Sequence, residues 1–207
     1  IIDLTAAGHQ PMVYADDRDE LVICFNGEIY NYLELKSELV DLGVNFKSKS
    51  DTEVLAAAWS RWGESSLEKF EGMFAFAVYS TKNETLTLAR DAFGIKPLYF
   101  AQKTTGFGFA STPNALVDSG FVQKRVDHQA VINYLAWGQY DQGHRTFFEG
   151  VSRLGAGEIL TMRVGDFSSF RISSWWNPEV EEHEQISFDE GASAVRAAFL
   201  RSVELHL

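Results

Sequence analysis

Four residues of this 207-residue chain suit one another chemically: Asn26, Gly27 and Glu28, which follow the apolar run "LVICF" (Leu21–Phe25), and Asp51, which opens a later apolar stretch. An Asn side chain offers an NH2 group and a glycine offers a backbone N–H that no side chain obstructs, the two kinds of donor that a developing oxyanion requires. Two carboxylates converging on one point make a socket for a substrate ammonium. Each residue also has a plainer use. Asn-Gly after a strand is a common hairpin turn, and Glu28 and Asp51 could simply favour helix N-termini through the macrodipole. The single cysteine, Cys24, lies beside Ile23 and Phe25, where burial raises a thiol's pKa and leaves it inert; it reads as packing. His9, His128, His144, His183 and His206 show no metal-ligand spacing, so no metal is expected, and "GFGFAS" lacks the helix and Lys of a phosphate loop.

These residues need elements to position them. Leu21–Phe25 reads as a buried strand. Asn31 and Glu34 stand in capping-box register before a helix from about Tyr32 to Leu42, with Gly43 as its stop, and Ser50 and Glu53 repeat the pattern before "VLAAAWSRWG". A capped helix rather than a second strand thus follows Asn26-Gly27-Glu28, which argues against the hairpin and predicts a strand-to-helix junction at a sheet edge. Met73–Tyr79 reads as a continuous apolar strand that turns through "TKNE" into Thr85–Arg90, and "PLYFA" and "FGFAS" as two short strands. Asp127 caps a helix in "VDHQAVINYLAWG", and "EILTMRVGDFSSFRI" is a hairpin around Gly165 and Asp166. The acidic, proline-bearing "SSWWNPEVEEHEQ" is the best linker, and Ser187 and Glu190 open a final amphipathic helix from Phe188 to Leu207. Strands joined by hairpin-length turns predict an α+β architecture with mostly antiparallel sheets.

Composition bounds the rest. With 45% hydrophobic residues, 16 Phe and 5 Trp, the chain is rich enough in apolar residues to build a core. A net charge of −11, from 18 basic and 29 acidic residues without a basic cluster, makes nucleic acid and anionic membrane poor partners. One cysteine and no long apolar run lead to the expectation of a soluble, cytoplasmic protein.

Taken in order, "IIDLTAAGHQPM", "FNGEIYNYLELKSEL", "SDTEVL", "EGMFAFAVY", "LARDAFGIKPLYF" and "TFFEGVSRLGAGEILTM" resemble the glutaminase domain of glutamine-dependent asparagine synthetases, a class II glutamine amidotransferase. The resemblance implies the N-terminal-nucleophile hydrolase fold, a four-layer sandwich with two antiparallel sheets between helices. It also implies glutamine hydrolysis by an N-terminal cysteine, with ammonia passed to an ATP-dependent site that amidates aspartate. Carried over by motif, Asn26 and Gly27 form the oxyanion hole and Glu28 and Asp51 bind the glutamine ammonium. Ile1 and Ile2 line the glutamine pocket through their backbone, and Met73 faces the ammonia channel. On this resemblance, residues 1–174 are the glutaminase domain, with its nucleophile upstream of Ile1. Residues 175–207 lead into a synthetase domain of the same polypeptide. No cofactor is expected for the glutaminase part, with ATP and Mg in the synthetase part, and a homodimer is admitted. Ala156 replaces the second proline of the family's "PPG", and "ASTPNAL" lacks the family's glutamate. A non-catalytic glutamine-binding or scaffolding homologue, an amidotransferase acting on another carboxylate, and an unrelated α+β binding domain remain as alternatives.

Overall fold

Large apolar residues alternate with small ones along Gly72–Ser80: Phe74, Phe76 and Val78 on one face, Ala75 and Ala77 on the other, all buried. A strand covered on both faces must lie inside a layered stack, and it does. The computed structural model describes residues 8–140, 143–178 and 186–205. Its strands are β1 (Met12–Ala15), β2 (Glu20–Ile29), β3 (Gly72–Ser80), β4 (Thr85–Arg90), β5 (Tyr99–Lys103), β6 (Gly106–Ala110), β7 (Ser152–Arg153), β8 (Glu158–Arg163) and β9 (Arg171–Ser174). The helices are α1 (Tyr32–Asp41), α2 (Asp51–Trp62), α3 (Pro113–Asp118), α4 (His128–Trp137) and α5 (Phe188–Leu205).

Six strands form one antiparallel sheet in the order β1-β2-β3-β4-β8-β9, and three form a second in the order β6-β5-β7. Three apolar layers follow from the alternation. Ile23, Phe74, Phe76 and Val78 meet Leu35 and Leu39 of α1 and Val54, Leu55 and Ala58 of α2. Ala75, Ala77, Leu88, Leu160 and Met162 meet Phe100 and Leu98 between the sheets. Ala101 and Val151 meet Leu116 and Val117 of α3. Helices, sheet, sheet, helix is the expected four-layer α+β sandwich. The small alanines of β3 let the two sheets approach, while its phenylalanines fill the thicker helix-facing layer.

Local chemistry accounts for most helix ends. Ser50 accepts from Thr52 N at 3.1 Å to cap α2, and Asp127 accepts from Ala130 N at 3.0 Å to cap α4. Ser187 and Glu190 cap α5 reciprocally, at 3.0 Å and 3.3 Å. The capping box expected at Asn31 is not formed: Asn31 Nδ2 donates to Lys69 O and Asn31 Oδ1 accepts from Glu71 N, tying α1's start to the chain entering β3. Glu53 likewise reaches past Ser50 to Ser48 N and Lys47 N. The chain divides into two compact units, Ile1–Trp176 and Asn177–Leu207. In the second, no residue of α5 is buried, and Val195, Phe199 and Val203 are 71%, 65% and 40% exposed.

Candidate active site

The expected strand-to-helix junction is corrected by the structure. Asn26, Gly27 and Glu28 lie inside β2, opposite Ala75, Phe74 and Met73 of β3, and the chain leaves the sheet only after Ile29. The ladder continues through the Asn-Gly pair because Gly27 has no side chain. A Cβ there would land on the Met73 carbonyl oxygen and 2.7 Å from Phe74 Cα. With φ at +155°, Gly27 also takes a backbone shape that L side chains seldom adopt.

Being in the strand gives Gly27 a defined amide direction. In an antiparallel ladder successive residues turn their N–H groups to opposite edges. Tyr30 N donates to Glu71 O on the β3 side, so the odd residues of β2 face the other edge, where β1 pairs only as far as Ile23. Phe25 N there donates to the Gln10 side-chain carbonyl, and Ile29 N to Asp51 Oδ2 at 3.3 Å. The Gly27 amide is turned to this same edge, between the Gln10 carboxamide and the Asp51 carboxylate, each about 7 Å along the strand. Beside it, Asn26 extends its Nδ2 to Ser111 Oγ at 3.3 Å. Gln10, Cys24, Phe25, Asn26, Ala75 and Ser111 share one cavity of about 140 Å³ at the sheet edge. A larger hollow of about 550 Å³, between β1 and the α1–α2 loop, contains none of the predicted site residues.

The carboxylates are coupled as well. Asp51 is only 3% exposed at the first turn of α2. Burial pushes its carboxyl above the ordinary range against the pull of the Ile29 and Thr52 amides, and the nearby Glu28 charge pushes the same way. Glu28 and Asp91 both act on Tyr30, whose hydroxyl is raised chiefly by burial. An ammonium placed between Glu28 and Asp51 would relieve this strain. Cys24 is half-buried and its thiol is pushed up by burial. Met73 occupies the face of β3 that carries Ala75 and Ala77.

Four of the six expected glutamine-site residues, Asn26, Gly27, Glu28 and Asp51, are therefore brought together around one end of β2. Ile1 and Ile2 lie outside the described residues. Gln10 and Ser111 join the site without having been predicted. Nothing in a single sequence marks them, because their partners are 15 and 85 residues away.

The sequence profile of the glutamine amidotransferase domain matches residues 1–176. A glutamine-hydrolysing asparagine synthetase 3 from Bacillus subtilis is 32% identical over 209 residues, which cover 100% of this chain and 33% of the relative. A putative glutamine-hydrolysing asparagine synthetase from Mycobacterium tuberculosis is 35% identical over 220 residues, covering 100% and 32%. The chain thus spans about a third of the length of these relatives. Among solved structures, glutamine phosphoribosylpyrophosphate amidotransferase from Bacillus subtilis shares the fold with a TM-score of 0.61 at 20% identity, over 83% of this chain and 33% of that one. By the profile that spans residues 1–176, the chain belongs to the class II glutamine amidotransferase domains, and over its whole length it is similar to one part of the glutamine-hydrolysing asparagine synthetases.

Proposed function

We propose that this chain binds glutamine and supports hydrolysis of its side-chain amide, in a larger polypeptide whose ATP-dependent part uses the ammonia to amidate aspartate. The observation that carries the glutaminase reading is the Gly27 amide, turned to a strand edge that β1 does not reach, beside the Asn26 NH2 and on the same edge as the buried Asp51 carboxylate. Glu28 and Asp51 hold the α-ammonium. A thiolate supplied by a segment outside the 207 residues attacks Cδ of the amide, and the electron pair of the carbonyl moves onto oxygen, where the Asn26 and Gly27 donors meet it. Collapse of the tetrahedral species, with a proton delivered to nitrogen, expels ammonia. Water then attacks the thioester, giving glutamate and the free thiol. Burial disfavours the Cys24 thiolate and argues against Cys24 as that nucleophile.

The test is glutamate release from glutamine by the full-length polypeptide, in parallel with residues 1–207 alone. The full-length protein is expected to hydrolyse glutamine and, with ATP, Mg and aspartate, to form asparagine; the 207-residue chain alone is expected to release no glutamate. A full-length protein that binds glutamine without turnover identifies a non-catalytic homologue instead, and turnover with another carboxylate replaces aspartate as acceptor.

A further inference from the structure

We propose that Asp91 is a positioning residue for the oxyanion donors, acting on Gly27 through β3; this rests on the assignment of Asn26 and Gly27 to the oxyanion hole. At the end of β4 the chain leaves the sheet, and the Asp91 carbonyl, which would have continued the ladder to β3, is taken by Gly94 N at 3.0 Å and Gly157 N at 2.9 Å. The Asp91 side chain replaces it. Phe74 N donates to Asp91 Oδ2 at 3.3 Å while Asp91 N donates to Phe74 O at 2.8 Å, so both main-chain groups of Phe74 are held by one residue. Phe74 is the residue opposite Gly27, with its Cα in the space a Gly27 side chain would need. No side chain cushions that contact, so a displacement of Phe74 becomes a displacement of the Gly27 amide.

Asp91 is itself fixed. Its carboxylate, on a residue 1% exposed, also accepts from Phe93 N at 3.1 Å, Ile95 N at 2.9 Å and Lys96 N at 2.9 Å. The loop supplying these amides is bolted down by Arg90, whose guanidinium donates to Lys96 O, Gly94 O and Leu154 O, each at 2.6 Å. A carboxylate can accept from all four amides because it has no proton to give. An amide in its place offers one oxygen, and its NH2 group would face N–H donors.

The experiment uses the full-length polypeptide with Asp91→Asn. The expected result is a fall in kcat of about 10²-fold, the scale of losing or misplacing one oxyanion donor, with KM for glutamine within about twofold. Inhibition by glutamate γ-semialdehyde, whose aldehyde carbon accepts the thiol and leaves its oxygen in the oxyanion position, is expected to weaken by a similar factor. Inhibition by norvaline, which keeps the α-ammonium and α-carboxylate but has no side-chain oxygen, is expected to stay unchanged. A merely structural Asp91 would weaken both inhibitors together or raise KM alone, and either result overturns the proposal, as does an unchanged kcat. Should Asp91→Asn not fold, Asp91→Glu, which keeps two acceptor oxygens but moves them by one methylene, carries the same comparison. A wild-type protein that hydrolyses no glutamine overturns the functional assignment itself.

Discussion

The Asp51 carboxyl sits where its surroundings disfavour the charge. Burial and the Glu28 charge raise its carboxyl above the usual Asp value of about 3.9. A group raised in the folded state gives stability that is fully present below the unfolded value and is lost as the pH rises through the folded one. Folding and function therefore ask opposite things of Asp51 over the same window, because an ammonium socket needs the charge that the fold disfavours. The expected outcome is that KM for glutamine falls, and the thermal midpoint also falls, as pH rises from about 4 through the raised value. Asp51→Asn should remove both slopes, raise KM at least 30-fold, corresponding to the roughly 2 kcal/mol minimum for truncating one side of a buried charge pair, and leave the midpoint equal or higher. Glutaminase kinetics and thermal melts on a common pH series check this, and a midpoint lowered by several degrees would show that Asp51 is structural.

At the scale of elements, what could be read from the sequence was what is decided locally. Helices α4 and α5 and the β8–β9 hairpin appear because Asp127, the Ser187–Glu190 pair and the Gly165–Asp166 turn act within a few residues. β1, α3 and β7, of 4, 6 and 2 residues, carry too little pattern and exist through their neighbours. The apolar run predicts β2 only as far as Phe25, and pairing with β3 keeps the strand extended to Ile29. The reason lies in a second glycine. A Cβ on Gly72 would strike the Glu28 carbonyl oxygen and stand 3.1 Å from Ile29 Cα, the counterpart of the Gly27 contact with Phe74. The two glycines let the strands cross more closely than any side chain permits, and the site sits at that crossing. Gly72→Ala should destabilise the fold by about 1–3 kcal/mol, the usual cost of overpacking, and lower kcat although residue 72 touches no substrate. Chemical denaturation and steady-state kinetics check this, and unchanged kcat in a destabilised variant would mean that the crossing serves stability alone.

For the whole molecule, the question is where the folded unit ends. Its buried apolar residues run from Met12 to Met162, yet one later residue closes the helix-facing layer. Trp175 stacks on Phe74 at 6.0 Å, donates from its indole to Arg90 O at 3.0 Å and gives its backbone N–H to Gly157 O at 2.9 Å. Trp176 adds a ring contact with Phe93 at 5.1 Å. Trp175 thus touches Phe74, through which Asp91 is connected to Gly27, and Arg90, which holds the loop around Asp91. Removing a packed tryptophan costs about 3–5 kcal/mol, a large share of the roughly 5–15 kcal/mol that a domain has. At about 2–4 °C per kcal/mol for a domain of this size, a protein ended after Ser174 should melt on the order of 10 °C lower than one ended after Trp176. The latter should match the chain ended at Leu207, because α5 buries none of its residues. With the N-terminal side left as in the full-length protein, melting the three truncations decides the point. Equal midpoints for the chains ended at Ser174 and Trp176 would remove Trp175 from the account of the core, whereas loss of folding on deleting residues 177–207 would show that α5 contributes to it.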